Sequence, residues 1–502
     1  MRRRLLTAPV APNARNMDLA KVFKQLKKTS EETGQASYLV GGYVRDLLLG
    51  KELRKDLDLV VEGSGLAFAK AFDKQLKEAG RLIEFPDFDT ARYLLPFSET
   101  EQLELEFAGA RSEAYRSTSR KPKVEPATLE KDLARRDFTI NAMAVPVAVF
   151  AKAKSPSKAT IVKNIVDPFG GQADLKEKII RTPLDPNVTF SDDPLRMLRA
   201  VRFAAQLGFT IDKKTLEAIY TNRERIKIVS AERLQEELLK LLATKESSIG
   251  LILMFQTHLM DIILPEVSNL DGVEDVYGHQ HKNNLVHSFK VVDNVGERTD
   301  KTWLRLAGLL HDIGKPGTKK FVPKIGWTFH GHEHLGKKMV YAIAKRFKFS
   351  KDLTEYLAKL VRWHLQPISL MDEGITDSAV RRLIVTMGDK INDLLILGRS
   401  DITTGNPFKK ERRLKNYDKL EKRVAEVLER DKLRAFQSPV RGEEIMKVCG
   451  LKPGPTVGKI KEAIEEAILD GKIPNDYEPA FKYFQKIKDG YLKDAAEWEK
   501  VC

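Results

Sequence analysis

The chain has 502 residues, a length that predicts two to four domains rather than one hydrophobic core. Its 86 Lys and Arg residues exceed its 71 Asp and Glu residues and give a formal net charge of +15, which favours a polyanionic partner, with a merely basic protein as the alternative. The two cysteines, Cys449 and Cys502, exclude a disulfide framework and a cysteine-based zinc site, and no apolar run reaches the roughly 18 residues of a transmembrane helix.

The first predicted segment, residues 1–30, opens with the basic sequence MRRRLLTAPVAPNAR. Its apolar stretch is short and interrupted by prolines, so we expect a disordered extension rather than a secretory signal, and an organellar presequence stays open. Residues 31–155 alternate short apolar strands (SYLVGG, DLDLVV and LELEFAGA) with helical stretches. This pattern predicts a domain built on a β-sheet, which we call the head.

From residue 156 onward the pattern is almost entirely helical. Residues 156–262, the neck, contain the amphipathic helix PLRMLRAVRFAAQLGF, ended by Gly208, and the helix AERLQEELLKLLA, for which Ser230 is a candidate N-cap. Residues 263–408 are a histidine-rich helical region. Residues 409–502 are a basic helical tail.

Two carboxylates lie close together in the second strand of the head. Asp56 and Asp58 in DLDLVV are two residues apart, so their side chains point to one face of the strand. Such a pair repels unless a cation lies between its members, and Mg²⁺ is the usual cation at a phosphate site. For this motif alone the alternative is two solvated acids on an edge strand. Glu106, in LELEFAGA, is a candidate third carboxylate.

The strand before this pair ends in two glycines. Gly41 and Gly42 open a segment that contains Arg45 and Asp46. Glycine lets backbone N–H groups approach a phosphate, a helix start adds a favourable dipole, and arginine can pair with phosphate through two hydrogen bonds. Together with the carboxylates, this segment predicts a two-metal site for phosphoryl or nucleotidyl transfer.

The segment LVGGYVRDLLLG followed by KDLDLVV resembles the first motif of the class II tRNA nucleotidyltransferases, the CCA-adding enzymes of the polymerase-β superfamily. RRDFTINAMA, DPFGGQADL, DDPLRMLRAVRF and AERLQEELLKLL follow in the order of that family's next four motifs, the last regarded as structural. The resemblance covers at least residues 37–245. It implies an α+β fold, in which a polymerase-β-like mixed-sheet head precedes an all-α neck, a helical domain and a helical tail.

The resemblance also implies an activity and its residues. The expected reaction is template-independent addition of CCA to the 3′ end of tRNA from CTP and ATP, with Asp56 and Asp58 as Mg²⁺ ligands and Glu106 as a further catalytic carboxylate. The expected nucleotide-binding residues are Gly41, Gly42, Arg45, Asp46, Arg135, Arg136, Asp137, Asn141, Asp193, Arg196 and Arg199. An A-adding enzyme, a CC-adding enzyme and a poly(A) polymerase are the alternatives. CC-adding relatives are marked by a loss between the first two motifs, and here that segment, ARSEAYRSTSRKPKVEPATLEKDLARRD, looks uninterrupted.

The fourth motif is expected to select the base. Asp193 and Arg196 are three residues apart and lie on one helix face. An aspartate that accepts from the exocyclic amine and an arginine that donates to the ring nitrogen would fit cytosine and adenine, whereas uracil and guanine present the reversed pattern. Alternatively, Asp193 caps the helix with Pro194 at its first position, and both roles can coexist. The family usually has Glu-Asp where this chain has Asp192-Asp193, so no role is assigned to Asp192.

Eight of the nine histidines fall between residues 279 and 364. A helical bundle can bring such residues together, and imidazole with carboxylate suits borderline transition metals or Mn²⁺. The order His, His-Asp, His, His, Asp along this region resembles the HD superfamily of metal-dependent phosphohydrolases. The resemblance implies Lys315 as a phosphate contact, and the family spacing favours His332 over His330 and His334 as a ligand. The expected ligands are His287, His311, Asp312, His332, His364 and Asp401.

An HD domain after a class II head implies a second activity on RNA ends. It would be a 2′,3′-cyclic phosphodiesterase, 2′-nucleotidase or phosphatase that uses Mn²⁺, Ni²⁺, Co²⁺ or Mg²⁺. A degenerate HD bundle kept as an RNA-binding scaffold is one alternative. An alternative function for the whole protein, from another class, is an HD phosphohydrolase whose inactive head only binds RNA.

The tail begins with a run of cations. Lys409, Arg412 and Arg413 are expected to contact tRNA phosphates, with an ordinary solvated helix as the equal alternative. The predicted buried stripe of this helix is Leu414, Tyr417, Val424 and Leu428. The expected partners are tRNA, CTP and ATP, with no membrane and no obligate protein partner, and the expected location is the cytoplasm.

Overall fold

The structure is a computed structural model of the chain. It describes residues 18–51, 56–96, 102–116, 119–151, 156–273, 275–276, 279–280, 283–372, 374–431 and 438–500. Most of the predicted N-terminal extension lies outside these residues. The described part of the chain forms two compact units: the first runs to Leu241 and includes Ile249–Ile263, and the second comprises Leu242–Ser248 and the chain from Leu264 onward. None of the helices described has both the length and the apolar character needed to cross a membrane.

The head is a six-stranded mixed sheet, as predicted. In spatial order its strands are β3 (Arg81–Phe85), β4 (Thr90–Pro96), β5 (Gln102–Gly109), β2 (Asp56–Val61), β1 (Ser37–Val40) and β8 (Ala144–Pro146). Strands β2 and β5 are parallel, and the other neighbours are antiparallel. A separate antiparallel ribbon is formed by β6 (Arg111–Arg116) and β7 (Ser119–Pro126). Along β2, Leu57 and Leu59 are buried in the core, so Asp56 and Asp58 project from the opposite, exposed face.

The helices described for the head are α1 (Leu19–Thr33), α2 (Gly42–Leu48), α3 (Gly65–Gln75), α4 (Leu129–Ala134) and α5 (Val147–Ala151). Helix α1 begins where Asp18 accepts a hydrogen bond from the amide of Lys21 (2.8 Å), and ends at Gly34, where φ is +68°. It buries Val22 and Phe23 and packs against α3 and α5. The predicted boundary between the extension and the head, at residue 30, is therefore wrong, because an amphipathic helix of the head crosses it.

The neck is helical except for one short strand pair. Its helices are α6 (Lys158–Asn164), α7 (Gly171–Glu177), α8 (Pro186–Asp192), α9 (Leu195–Leu207), α10 (Lys213–Asn222), α11 (Ala231–Leu242), α12 (Ser247–Gln256) and α13 (Leu259–Ile263). Helix α9 ends at Gly208, as predicted, in the left-handed conformation with φ +69°. Strands β9 (Ile179–Ile180) and β10 (Thr210–Ile211) pair in parallel and bury Ile180 and Ile211. The expectation of an all-α neck is corrected by this pair.

The histidine-rich region and the tail form the second unit. The helices of the histidine-rich region are α14 (Pro265–Ser268), α15 (Asn284–Gly296), α16 (Thr302–Leu310), α17 (Lys315–Thr318), α18 (His332–Phe347), α19 (Lys351–Trp363), α20 (Gln366–Asp372), α21 (Asp377–Met387) and α22 (Ile391–Ser400). Two antiparallel pairs interrupt the helices: β11 (Asp275–Val276) with β12 (His279–Gln280), and β13 (Lys320–Val322) with β14 (Gly326–Thr328). The tail helices are α23 (Pro407–Asp431), α24 (Gly442–Cys449), α25 (Pro455–Leu469) and α26 (Tyr477–Lys493). The last three share a core that includes Ile445, Ile460 and Phe484.

The predicted buried stripe of α23 is partly wrong. The buried side chains are Tyr417, Leu420, Val424 and Val427. They recur at intervals of three and four residues, which keeps them on one face of a helix with 3.6 residues per turn. Leu414 and Leu428 are only half-buried, at the edges of this stripe.

Candidate active sites

The carboxylates of the head meet where β2 and β5 run side by side. Asp58 on β2 is in register with Glu106 on β5. Asp56 and Asp58 are exposed, and Glu106 is half-buried. Partial burial raises the pKa of Glu106, and the nearby charge of Asp58 raises it further. A divalent cation would relieve this concentration of negative charge, so the donor set fits the predicted Mg²⁺.

The glycine pair lies against the same carboxylate. Gly41 has φ +70°, and a Cβ at this position would lie 3.2 Å from Oδ2 of Asp58 and 3.3 Å from Nη1 of Arg136. A side chain would therefore strain the backbone and crowd the site. Gly42 is the first residue of α2 and places the start of that helix beside the cavity described below.

Arg45 is held by protein groups rather than presented to solvent. Only 1% of its surface is exposed. Nη1 donates to Oδ1 of Asn141 (2.8 Å), Nε donates to Oδ1 of Asp46 (2.9 Å), and the guanidinium lies 5.1 Å from the centroid of the Phe203 ring. Arg45 also lines the cavity described below, and its predicted pairing with phosphate stays a prediction.

The arginine pair of the second motif converges on one carboxylate. Arg135 and Arg136 contact Asp132 at 2.6 Å and 3.1 Å. Burial alone would raise the pKa of Asp132, but the two guanidinium groups outweigh burial and lower it. Asp132 thus fixes both arginines at the cavity, a role that the sequence did not indicate.

Asp137 and Arg199 form a second pair in the same region. Nε of Arg199 donates to Oδ2 of Asp137 (2.9 Å), and Nδ2 of Asn141 donates to Oδ1 of Asp137 (3.0 Å). Burial alone would raise the pKa of Asp137, but Arg199 and Asn141 lower it to about 2. The pair joins the loop after α4 to helix α9, so Asp137 has a structural partner in addition to any role with a nucleotide.

The two residues expected to read the base have different protein partners. Asp193 accepts two hydrogen bonds from Arg233, at 3.2 Å and 2.8 Å, and one from the amide of Leu195 at 3.3 Å. Nη2 of Arg196 donates to the carbonyl oxygen of Arg135 (2.6 Å). Asp193 therefore contacts the start of α9 and is also oriented by Arg233, but the N-cap of this helix is Pro194, not Asp193 as the capping alternative expected.

These residues surround a cavity of about 460 Å³. Its walls comprise Gly41, Gly42, Arg45, Asp58, Arg135, Arg136, Asp137, Asn141, Asp193, Leu195, Arg196, Arg199, Arg202, Phe203, Arg233 and Lys240. Eight of these side chains are cationic and three are carboxylates, which suits a polyanion such as a triphosphate. Three predicted residues lie outside this wall: Asp46 holds Arg45, and Asp56 and Glu106 lie on the sheet beside Asp58.

Sequence reasoning missed five residues of the wall. These are Leu195, Arg202, Phe203, Arg233 and Lys240. Arg233 and Lys240 are seven residues apart on α11, about two helical turns, so they share a face. This seven-residue spacing is the sequence feature from which both cations could have been assigned to one site. The helix that the sequence comparison regarded as structural therefore also lines the cavity with two cations.

The second candidate site is centred on Asp312. His287, His311 and Asp401 form one group of closely spaced donor atoms, and Asp312, His332 and His364 form another. Oδ2 of Asp312 lies 3.2 Å from Nε2 of His311, and Oδ1 lies 3.3 Å from Nε2 of His332. One carboxylate thus faces both groups, and these six residues would suit one or two divalent metal ions.

Each histidine of this site is oriented through its other ring nitrogen. Nδ1 of His311, His332 and His364 lies 2.7–2.8 Å from the carbonyl oxygens of Gly308, Phe329 and Val361 respectively. Nδ1 of His287 lies 2.7 Å from the hydroxyl of Thr403. A carbonyl accepts only from N–H, so Nδ1 carries a proton in at least three of the rings, and Nε2, which faces the cluster, is the ring atom available to a metal ion. This second layer of contacts is typical of metal-binding histidines.

The remaining residues of the predicted HD site are also placed. Nζ of Lys315 donates to Oδ2 of Asp312 (2.5 Å), so its predicted contact with phosphate stays a prediction. The structure brings His332 into the cluster, whereas His330 and His334 are exposed. The six ligands come from α15, α18 and the residues that follow α16, α19 and α22, as the helix-end pattern predicts.

The cations of α23 divide into two groups. Lys409, Arg412 and Arg413 are exposed, and within the part of the chain that the structure describes no carboxylate lies within ion-pair distance of them; we call these three residues the basic start of α23. Arg423 and Arg430 instead contact Asp377, the latter at 2.7 Å. Arg423 and Arg430, in the second half of the helix, therefore hold α21, whereas the basic start of α23 presents unpaired charge.

Three stretches of the chain match known families. Residues 37–181 match the poly A polymerase head domain, residues 208–270 a probable RNA and SrmB-binding site of polymerase A, and residues 284–403 the HD domain. An A-adding tRNA nucleotidyltransferase of Deinococcus radiodurans is 31% identical over 357 residues, which cover 69% of this chain and 77% of that protein. The chain belongs to the tRNA nucleotidyltransferase family.

Other members of the tRNA nucleotidyltransferase family are similarly related. A CC-adding enzyme of Thermus thermophilus is 30% identical and covers 88% of this chain and 91% of its own length. A multifunctional CCA protein of Legionella pneumophila is 32% identical and covers 65% and 74%. Because proteins named for A addition, CC addition and CCA are about equally similar, identity alone does not separate these activities.

Solved structures of the family share the fold. The CCA-adding enzyme of Bacillus stearothermophilus in complex with CTP has a TM-score of 0.64 at 21% identity, over 95% of this chain and 100% of that chain. A tRNA nucleotidyltransferase complexed with a primer tRNA and an incoming ATP analog has a TM-score of 0.54 at 26% identity, over 79% and 98%. The predicted fold class, a mixed-sheet head followed by a mainly helical chain, is thereby confirmed.

Proposed function

We propose that this protein adds CCA to the 3′ end of tRNA, with CTP and ATP as substrates. The observation that carries the proposal is the cationic cavity, with the carboxylate of Asp58 at one side and the Asp193–Arg196 pair at another. The cations would hold the triphosphate, and the carboxylates would lie where a hydroxyl of the tRNA end meets its α-phosphate. The relatives and the solved complexes support this proposal through their named substrates.

Asp56 and Asp58, with Glu106 beside them, would hold Mg²⁺. When bound, the ion would lower the pKa of the attacking hydroxyl and offset charge on the triphosphate. The protein groups would orient the reactants: Gly41 keeps the space beside Asp58 open, and Asp132 fixes the arginine pair of the second motif. No separate general base is required in this scheme.

Asp193 and Arg196 would read the base by accepting from its exocyclic amine and donating to its ring nitrogen. Both side chains line the cavity and both have protein partners, so the base would compete with Arg233 for Asp193 and with the carbonyl of Arg135 for Arg196. Cytosine and adenine offer the matching pattern, and uracil and guanine would leave groups unpaired.

The decisive experiment supplies purified protein with tRNA that lacks its CCA end, and with CTP, ATP or both. Addition of C, C and A with both nucleotides supports the full activity. A-only or CC-only products would instead identify an A-adding or a CC-adding enzyme, and long A tracts a poly(A) polymerase. No incorporation under any condition would reject the proposal and favour an inactive RNA-binding head.

A second activity is favoured by the Asp312 cluster. We propose that the HD site hydrolyses phosphate esters at RNA ends, as a 2′,3′-cyclic phosphodiesterase, a 2′-nucleotidase or a phosphatase. Four imidazoles with Nε2 directed inward and two carboxylates fit Mn²⁺, Ni²⁺, Co²⁺ or Mg²⁺. Such ions would activate a water molecule when bound. A degenerate bundle would show no metal-dependent hydrolysis.

Docking of tRNA is proposed for the basic start of α23. Its exposed cations have no acidic partner among the described residues, which favours contact with phosphates over a neutralised helix surface. Because tRNA and the two nucleotides are cytoplasmic substrates, a cytoplasmic location is proposed with this function.

A further inference from the structure

The first turn of α23 carries an aromatic ring that is open to solvent. Phe408, the second residue of this helix, is 81% exposed, and among the residues that the structure describes no other ring stacks on it and no cation lies over its face. The amide of Lys409 donates to Oδ1 of Asn406 (3.0 Å), which fixes the start of the helix. A single exposed apolar residue is common on a protein surface, so the ring gains meaning only from its neighbours.

The neighbours of this ring are cations, because the basic start of α23 follows it directly in the chain. Phe408 and Arg412 are four residues apart, so their side chains share one face of the helix. The acid within this stretch, Glu411, pairs with Lys415 (2.8 Å) and leaves the basic start without an acidic partner among the described residues. Proteins bind single-stranded nucleic acid with this combination, since bases stack on an open aromatic ring while cations contact the backbone phosphates.

Solvent reaches the HD site at the ligand that precedes α23. The side chain of Asp401 is 17% exposed. The corresponding fraction is 1–8% for the other five ligands, His287, His311, Asp312, His332 and His364. Asp401 directly follows α22, and α23 begins six residues later at Pro407. The exposed side of the ligand cluster is therefore the side of Asp401.

Helix α23 packs beside this exposed ligand. The hydroxyl of Tyr417 lies against Gly398, where a Cβ would collide with it, so α23 contacts α22 three residues before Asp401. Burial raises the pKa of the Tyr417 hydroxyl, the charge of Asp401 raises it further, and that of Arg413 lowers it. Both charges are therefore close to this hydroxyl, and the basic start of α23 lies near the exposed side of the HD site.

We propose that the RNA strand whose end is hydrolysed at the HD site lies along the start of α23, with one of its unpaired bases stacked on Phe408. The substrate would then be a single-stranded RNA end of several nucleotides rather than a mononucleotide. This inference rests on the proposed hydrolysis of phosphate esters at RNA ends. For a 2′,3′-cyclic phosphate, the oxygen of water bonds to phosphorus, one ribose P–O bond breaks, and the leaving ribose oxygen takes a proton from that water.

The chain sets the length of strand that can reach the ring. Asp401 and Phe408 are seven residues apart, so their Cα atoms are at most about 25 Å apart. Nucleotides of a stacked strand follow one another at about 3.4 Å, so eight of them span about 27 Å. Phe408 also lies nine residues before Tyr417, about 14 Å along the helix axis. We therefore expect an octanucleotide held at the HD ligands to reach Phe408, and a mononucleotide to fall short of it.

Two probes test the inference with the full-length protein and Mn²⁺, Ni²⁺, Co²⁺ or Mg²⁺. One is an unpaired octaribonucleotide that ends in adenosine 2′,3′-cyclic phosphate, and the other is adenosine 2′,3′-cyclic phosphate alone. In Phe408→Ala, KM for the octanucleotide should rise about five- to 150-fold, the equivalent of about 1–3 kcal/mol per stacked base, with kcat little changed. KM for the mononucleotide should stay at the parent's value, and Phe408→Trp should retain the parent's KM for both.

A complementary strand and a matched variant are the controls. A strand that pairs with all but the terminal nucleotide of the octanucleotide withdraws its bases from stacking, so the parent and Phe408→Ala should then have the same KM. Trp498 is another exposed aromatic residue, but Glu497 and Glu499 flank it, so Trp498→Ala should keep the parent's KM for both probes.

Equal changes on both probes in Phe408→Ala, or no change on either, would overturn the inference and leave the hydrolase proposal intact. If the parent protein hydrolyses neither probe with any of the four metals, the proposed HD activity fails and the inference falls with it.

Discussion

Replacing Arg196 by alanine should relax the choice between CTP and UTP. In the nucleotide-free structure, Arg196 donates to the carbonyl oxygens of Arg135 (2.6 Å) and Thr189 (3.4 Å). Losing these contacts should cost about 1 kcal/mol of unfolding free energy, the usual net value of a hydrogen bond. With a nucleotide bound, the alanine variant would leave the ring nitrogen of cytosine without a donor.

The size of the effect on selection follows from that missing donor. An unpaired polar group in a cavity costs about 1–3 kcal/mol, so the ratio of kcat/KM for CTP over UTP should fall about five- to 150-fold. Asp193→Ala should lower the same ratio and should also weaken the start of α9 by about 1 kcal/mol, because Asp193 accepts from the Leu195 amide. Asp192→Ala is the control and should change the ratio less.

Arg233 extends this test to a residue that only the structure identifies. Its guanidinium holds Asp193 but is 42% exposed, so solvent weakens the pair to about 1 kcal/mol. Arg233→Ala should therefore lower kcat/KM for CTP and ATP together by about fivefold, with a smaller change in the CTP-to-UTP ratio. If Arg196→Ala and Asp193→Ala lose activity but keep the parent ratio, these residues are structural and the base is chosen elsewhere.

Four further outcomes are expected. Asp58→Ala should abolish nucleotide addition at saturating Mg²⁺ with little loss of Tm, since this carboxylate is exposed and its charge repels that of Glu106, and normal turnover would reject its assignment. Neutralising the basic start of α23 should reduce the slope of log binding constant against log salt by about 0.7–0.9 per lost phosphate contact, whereas Arg430→Ala, which removes ion pairs with Asp377 and Asp431, should leave the slope unchanged. The double variant His311→Ala, Asp312→Ala should lose metal-dependent hydrolysis of cyclic phosphate ends yet retain CCA addition, and loss of both activities would show that the two sites are not separable. Asp137→Asn should flatten the pH dependence of unfolding free energy in acid: the parent's stabilisation is complete above the ordinary aspartate pKa near 4 and is lost as pH falls toward about 2, which urea titrations at pH 5 and pH 3 would measure.

Local pattern was sufficient for most of the secondary structure and for the character of the sites. A two-residue spacing places Asp56 and Asp58 on one face of β2 whatever the strand packs against. Likewise, the apolar period of α9 and its closing glycine determine a helix without reference to the rest of the chain. Where local pattern competed with packing it was less reliable, as in α23, whose buried stripe is displaced from Leu414 and Leu428 to Leu420 and Val427.

Pairings between distant residues were decided only by the tertiary structure. Asp193 and Arg233 are 40 positions apart, and the intervening sequence carries no period that predicts their hydrogen bonds, which depend on how α11 packs beside α9. The same holds for Asp312, whose two oxygens face histidines from four different parts of the chain. Sequence determined which donors were available, because composition and local period are properties of short segments. Packing determined which donors meet, because distances between elements depend on the whole core.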